Sequence, residues 1–254
     1  MGAAIAREWA DRYEYPLPDR DDLARVSQFV AVLEDPMWPK EEISTFFHGK
    51  APELASEDEP HRILAELPLP IYLTTNYDDF MAQALRAVGK DPVEEFCRWT
   101  PRESFRPSVF ETARGFEPTV EQPLVFHLHG MLNRPESLVL TEDDYIDFLV
   151  NIADTQVIPP RVREALADTM LLFIGYRLAD WNFRVLYRGL VEKVDPSGRR
   201  QNLMVQLRPA DVPSPDAAQT YLERYFDAMS VRVFWGDARA FVQELRKRRN
   251  VLAA

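Results

Sequence analysis

The stretch from Pro70 to Leu85, PIYLTTNYDDFMAQAL, narrows the choice of fold more than any other. Ile71, Tyr72, Leu73 and Thr74 are β-branched, aromatic or aliphatic and carry no charge, as a strand covered on both faces requires. Polar residues follow at once. Thr75, Asn76, Asp78 and Asp79 have side-chain oxygens that accept from the unpaired N–H groups at a helix N-terminus. Phe80, Met81, Ala84 and Leu85 then recur with helical spacing. A strand, a tight polar turn and a helix put Asn76 and Asp78 at the carboxyl end of a parallel strand, where open α/β sheets gather their ligands. A well-capped junction with no ligand accounts for the same residues equally well.

The pattern returns further along. Leu124-Val125-Phe126-His127-Leu128-His129-Gly130 is an apolar run ending in glycine, and Met170-Leu171-Leu172-Phe173-Ile174 is the strongest buried-strand signal in the chain. Gly175-Tyr176 breaks that run, and Asp180-Trp181-Asn182 opens a helix through Leu186 and Leu190. Asn202 to Leu207 and Val231 to Trp235 read as further strands, separated by a helix from Pro215 to Met229. Gly236-Asp237 starts the last helix, from Ala238 to Leu245. Strands alternating with helices predict an α/β fold, a Rossmann-like doubly wound parallel sheet with helices on both faces. The turns at Asn76, His129, Gly175 and Gly236 are then expected to converge on one crevice.

The remaining segments predict a small, mostly helical lobe. Ile5, Trp9 and Tyr13 mark one face of a first helix, and Leu23, Val26, Phe29, Val30 and Leu33 one face of a second. A shorter helical stretch surrounds Ile43 to Phe47, and Arg62-Ile63-Leu64 leads into the first strand. Phe96 to Trp99 reads as a second strand, and 101–122, with scattered prolines and no clear period, as a loop or small lobe. The expectation is a single domain over 1–254, with 1–62 and about 86–123 supplying the helical lobe and loops.

Charge and cysteine content exclude several functions. A net charge of −11 argues against general nucleic-acid binding, which needs basic patches. The closing Arg246-Lys247-Arg248-Arg249 sits where cations complement a helix dipole. The single cysteine, Cys97, rules out an intrachain disulfide and a cysteine-rich zinc ribbon, and its large apolar neighbours make it a buried hydrophobe rather than a nucleophile. There is no signal peptide and no apolar run long enough for a bilayer, so the expectation is a cytoplasmic protein with no membrane partner.

In an extended strand His127 and His129 point to one face. Two histidines alone do not make a metal site, and no third ligand stands out, so no metal is expected. Either histidine could be a hydrogen-bonded core residue; Gly130 favours His129 as the exposed one. Thr141-Glu142-Asp143-Asp144 reads as a helix cap with an acidic first turn and no chemistry.

Thr74-Thr75-Asn76-Tyr77-Asp78, His127-Leu128-His129-Gly130, Phe173-Ile174-Gly175-Tyr176 with Asp180, and Gly236-Asp237 together resemble the sirtuin-like family. More narrowly, they resemble its zinc-free bacterial branch, found in NAD-consuming antiphage defence proteins. Four motifs in the same order, from about residue 63 onward, carry the resemblance. It implies a Rossmann-like sheet that binds NAD. It implies that Asn76 sits by the nicotinamide ribose, that Asp78 supports the nicotinamide pocket, that Thr75 is among the cofactor-binding residues, and that His129 is the catalytic base. Gly175 and Tyr176 match a loop touching ribose and phosphates, and Gly236-Asp237 the loop beside the adenine. The family's opening strand and glycine-rich loop are not found in Met1-Gly2-Ala3-Ala4, and the four-cysteine zinc module of deacylating sirtuins is absent.

The resemblance thus implies an NAD glycohydrolase acting in antiphage defence, without metal and controlled by homo-oligomerisation or a defence-system partner. Two alternatives stay open: a degenerate module binding NAD, ADP-ribose or a protein, and an NAD-dependent protein deacylase.

Overall fold

The computed structural model describes residues 2–56, 58–113, 115–152, 157–176, 187, 201–210 and 212–253. In chain order the first elements are α1 (Gly2–Arg12), α2 (Leu23–Leu33), α3 (Trp38–Phe47), α4 (Pro60–Ala65), β1 (Ile71–Thr74), α5 (Phe80–Ala87) and β2 (Val93–Phe96). There follow α6 (Pro101–Ser104), α7 (Val109–Thr112), β3 (Leu124–His127), α8 (Glu142–Ile152) and α9 (Pro160–Asp168). The last are β4 (Leu172–Phe173), β5 (Asn202–Gln206), α10 (Pro215–Asp227), β6 (Val231–Trp235) and α11 (Ala238–Ala253). All strand pairings are parallel, so the expected α/β class holds. The chain divides into two compact units, Met1–Pro52 with Pro68–Ile158, and Glu53–Leu67 with Pro159–Ala254.

In the first unit the apolar face of α1, with Ile5, Ala6, Trp9 and Ala10, is buried against Val26 and Val30 of α2, Ile43 of α3, and Leu138 and Leu140. Asp22 starts α2 by accepting from the backbone N–H groups of Ala24 and Arg25 at 3.0 and 3.2 Å. Lys40 of α3 reaches Asp144 of α8 at 2.7 Å, with both side chains largely buried. Asp144 also accepts from the Thr141 N–H while its own N–H donates to Thr141 Oγ1, a reciprocal helix cap. The expected cap is there, and one of its acids also holds a buried cation.

The sheet of this unit has the order β1-β3-β2. The central strand β3 is buried at every position, and Leu124 and Phe126 are fully enclosed. Such burial stabilises the fold by about 2 kcal/mol per large apolar side chain. Thr74, His127 and Phe96 form one register row at the carboxyl end. The second strand lies earlier than expected, at Val93–Phe96. Two adjacent acids disguise it in the sequence. Glu95 is buried, accepting from the N–H groups of Phe96 and Val109 and pairing with Arg98. Arg98 in turn donates to the carbonyls of Phe96, Arg106 and Pro107, so past the Cys97 N–H bond to the His127 carbonyl the chain is held by side-chain bonds.

The second unit has its own sheet, β4-β5-β6. Ile63 of α4 packs with Val205 of β5 and Phe241 and Val242 of α11. Arg62-Ile63-Leu64 is therefore helical rather than a lead-in to a strand, and Glu59 caps that helix by accepting from the Arg62 N–H at 2.7 Å. The strand expected at 170–174 is only Leu172–Phe173, half-buried, and Met170 is 63% exposed. Leu171 donates its N–H to the Asn202 side chain, which takes the place of a ladder bond. The helix expected from Asp180 to Leu190 lies, apart from Tyr187, outside the described residues.

Candidate functional site

The carboxyl end of β3 brings four groups together. His127 and Glu94 are on the same face of the sheet, because Glu94 pairs with Val125, two residues before His127. The imidazole Nε2 lies 3.8 Å from Glu94 Oε1. On its other side Nδ1 is 3.3 Å from the backbone carbonyl of Asn76. A carbonyl can only accept, so Nδ1 carries a hydrogen and donates it to Asn76. Neither Nε2 nor Glu94 Oε1 has a hydrogen-bond partner among the described residues, whereas Glu94 Oε2 accepts from Arg86 at 2.8 Å. Burial pushes the Glu94 carboxyl up, but the adjacent His127 and Arg86 outweigh it and hold the group below its ordinary value.

These two side chains line a cavity of about 710 Å³, together with Thr45, His48, Tyr77 and Asp79. That volume falls within the range of small-molecule sites, roughly 300–1,000 Å³. Tyr77 is fixed in the wall by donating its hydroxyl to the Val139 carbonyl at 2.6 Å.

His129 is elsewhere. It is 5% exposed, and its ring meets the edges of Tyr145 and Phe148 at centroid distances of 5.4 and 5.0 Å. Burial lowers its pKa to about 3. The expectation that the histidine beside Gly130 is the exposed one is corrected: both imidazoles are buried, and His127 is the one lining the cavity. The expectation of a shared face fails for a local reason. β3 ends at His127, so strand alternation does not extend to His129. Gly130 turns the chain with φ +85°, and a Cβ there would lie 2.3 Å from the Ser137 carbonyl oxygen.

Asn76 is exposed in the turn after β1, and its N–H donates to Thr74 Oγ1 at 3.0 Å. Thr75 is half-buried beside it. Asp78 accepts from the Phe80 N–H at 3.2 Å, as a residue before a helix does. The turn and the histidine loop are neighbours, since Leu128 donates its N–H to the Thr74 carbonyl at 2.8 Å.

Gly175, Tyr176, Gly236 and Asp237 belong to the second unit. Gly175 is exposed with φ +86°, and among the described residues nothing lies within 4 Å of where a side chain would project. Tyr176 packs against a cluster containing Tyr187, Met204 and Phe226. Gly236 donates its N–H to the Gln206 carbonyl, and Asp237 caps α11 by accepting from the Ala240 N–H at 2.7 Å. Asp180 lies outside the described residues. Cys97 is fully buried, which pushes its thiol up and leaves it unreactive. Among the described residues no group of three or more His, Cys, Asp or Glu side chains is arranged to hold a metal. None of the described helices is long and apolar enough to cross a membrane.

Glu94 escapes a reading of the sequence because Val93-Glu94-Glu95-Phe96 resembles a solvated turn. The two-residue spacing that puts it on the same strand face as Phe96 is the signal that could have found it.

A family model described as a SIR2-like domain matches residues 70–234. Proteins named NAD(+) hydrolase ThsA are also similar. That of Cytobacillus dafuensis is 26% identical over 181 residues, 69% of this chain and 32% of the relative. That of Acinetobacter baumannii is 29% identical over 133 residues, 51% and 24% of the two chains. In Enterococcus faecium the figures are 28% over 124 residues, 49% and 23%. The chain thus spans about a third or less of the length of these curated relatives.

Proposed function

Since the chain belongs to the SIR2-like family, we propose that it is an NAD glycohydrolase, cleaving NAD to nicotinamide and ADP-ribose as an effector of bacterial antiphage defence. One observation carries the reading most. The Asn76 turn and the histidine loop sit side by side at the carboxyl ends of paired parallel strands, next to a cavity of ligand size. Names of relatives as NAD(+) hydrolases point the same way.

In the proposed reaction the bond between ribose C1′ and the nicotinamide nitrogen breaks, and its electron pair leaves with nicotinamide. Water adds to C1′ and gives up a proton. Positive charge develops on the sugar, so neutral or anionic neighbours favour the step. The Asn76 carboxamide orients the water or a ribose hydroxyl without adding charge, and His129 accepts the proton. Asp78 supports the nicotinamide end, and Thr75 beside it contributes to cofactor binding. Gly175 and Tyr176 are assigned to ribose and phosphates, Gly236 and Asp237 to the adenine. Homo-oligomerisation or a defence-system protein would control the activity, in the cytoplasm.

Release of nicotinamide from NAD by the purified protein, followed by chromatography, tests the reading, and a wild-type protein that releases none overturns it. A second reading has one specific observation in its favour. His129 is enclosed by Tyr145 and Phe148 and held neutral, which suits a module that binds the nucleotide without turning it over. ADP-ribose binding without nicotinamide release would support that reading instead.

A further inference from the structure

We infer that His127 is a positioning residue: its Nδ1–H holds the backbone carbonyl of Asn76 and thereby aims the Asn76 carboxamide across the strand ends. The inference deepens the hydrolase reading above, on which its effect on turnover rests. Three carbonyls of the turn after β1 accept from the end of β3 and the loop behind it. Thr74 accepts from the Leu128 N–H at 2.8 Å, and Tyr77 from the Leu132 N–H at 3.1 Å. Asn76, between them, accepts from His127 Nδ1 at 3.3 Å. Only this middle bond comes from a side chain, and it falls on the residue assigned to the chemistry.

The Asn76 carboxamide is exposed, and none of the described residues bonds it, so its direction depends on the backbone that carries it. The Asn76 carbonyl lies in the rigid peptide plane shared with Tyr77, and anchoring it fixes ψ at Asn76. The imidazole is itself prevented from turning away. It is 1% exposed, and Glu94, held by Arg86 at 2.8 Å, lies 3.8 Å from Nε2 on the far side. Both ring nitrogens thus face acceptors. Sharing a proton between Nε2 and Glu94 leaves Nδ1 directed at the turn.

Two substitutions separate this role from space-filling. The side-chain nitrogen of an asparagine falls near the place of Nδ1, and that of a glutamine near the place of Nε2. His127→Asn therefore keeps a donor for the Asn76 carbonyl, whereas His127→Gln moves the donor towards Glu94. In His127→Gln the kcat for nicotinamide release is expected to fall by about a hundredfold with KM within about twofold of wild type, because a misaimed group slows the step without loosening the substrate. His127→Asn is expected to recover at least about a tenth of wild-type kcat, although its smaller side chain leaves the larger gap and the lower melting temperature.

Amide exchange gives a readout independent of turnover. In His127→Gln the Asn76 N–H, which is bonded to Thr74 Oγ1, should exchange at least about tenfold faster, while the amides of β3 stay as protected as in wild type. In His127→Asn it should stay near the wild-type rate. Equal kcat in the two variants, wild-type kcat in His127→Gln, or an unchanged Asn76 exchange rate in that variant overturns the inference. If the wild type releases no nicotinamide, the hydrolase reading fails, and the exchange rates alone decide whether His127 holds the turn.

Discussion

The two units are built from the same kit and use it differently. Each has a three-stranded parallel sheet flanked by helices. In the first, the strand ends are crowded: His127 is wedged between a carbonyl and a carboxylate, His129 between two aromatic rings, and Gly130 against Ser137. In the second, no described residue lies within 4 Å of where a Gly175 side chain would project, and Asp237 is occupied as a helix cap. The matched turns are therefore held by packing in the first unit and by backbone conformation and capping in the second. A substitution at a matched turn should cost more in the first than in the second.

The largest effect expected is on turnover. Asn76→Ala should lower nicotinamide release by at least about a hundredfold, while thermal unfolding stays unchanged because the side chain is exposed. Wild-type turnover would misplace the chemistry altogether. Next is Gly130→Ala, where a methyl group meets a backbone oxygen at 2.3 Å in a positive-φ conformation. It should cost at least about 3 kcal/mol in denaturant unfolding. Lys40→Ala leaves Asp144 buried without its cation and should cost about 2–3 kcal/mol by the same measurement. Gly175→Ala provides the contrast, costing about 1 kcal/mol from backbone strain alone. A cost equal to that of Gly130→Ala would erase the distinction between the units.

The remaining prediction concerns acid. His129 has a folded pKa of about 3, below the value of about 6.5 in the unfolded chain. Between those values the unfolded state binds more protons, so stability falls as pH drops from about 6.5 towards 3. Unfolding measured across that window should show a shallower decline for His129→Leu than for wild type.

The parallel strands and their helices were legible in the sequence because apolar runs, glycine turns and capping acids all point the same way. β6 lies where its β-branched and aromatic run places it. The chain around β2 was not legible, since a strand carrying Glu94 and Glu95 only makes sense once Arg86, Arg98 and the Val109 N–H are beside it. The histidines show the limit more sharply. Residue types and spacing singled out both, but which one faces the cavity depends on β3 ending at His127, two residues short of His129. Of the candidate site, the Asn76 turn could be read from local chemistry, whereas Glu94 could not, because its role comes from a neighbour 33 positions away.

β3 has strands on both edges and no residue open to solvent. Its amide protons should be among the last in the first unit to exchange with deuterium, needing near-global opening. The proposed ligand would then rest on the most slowly exchanging part of that unit, and its arrival would register as protection spreading outward from β3 into the loops around it.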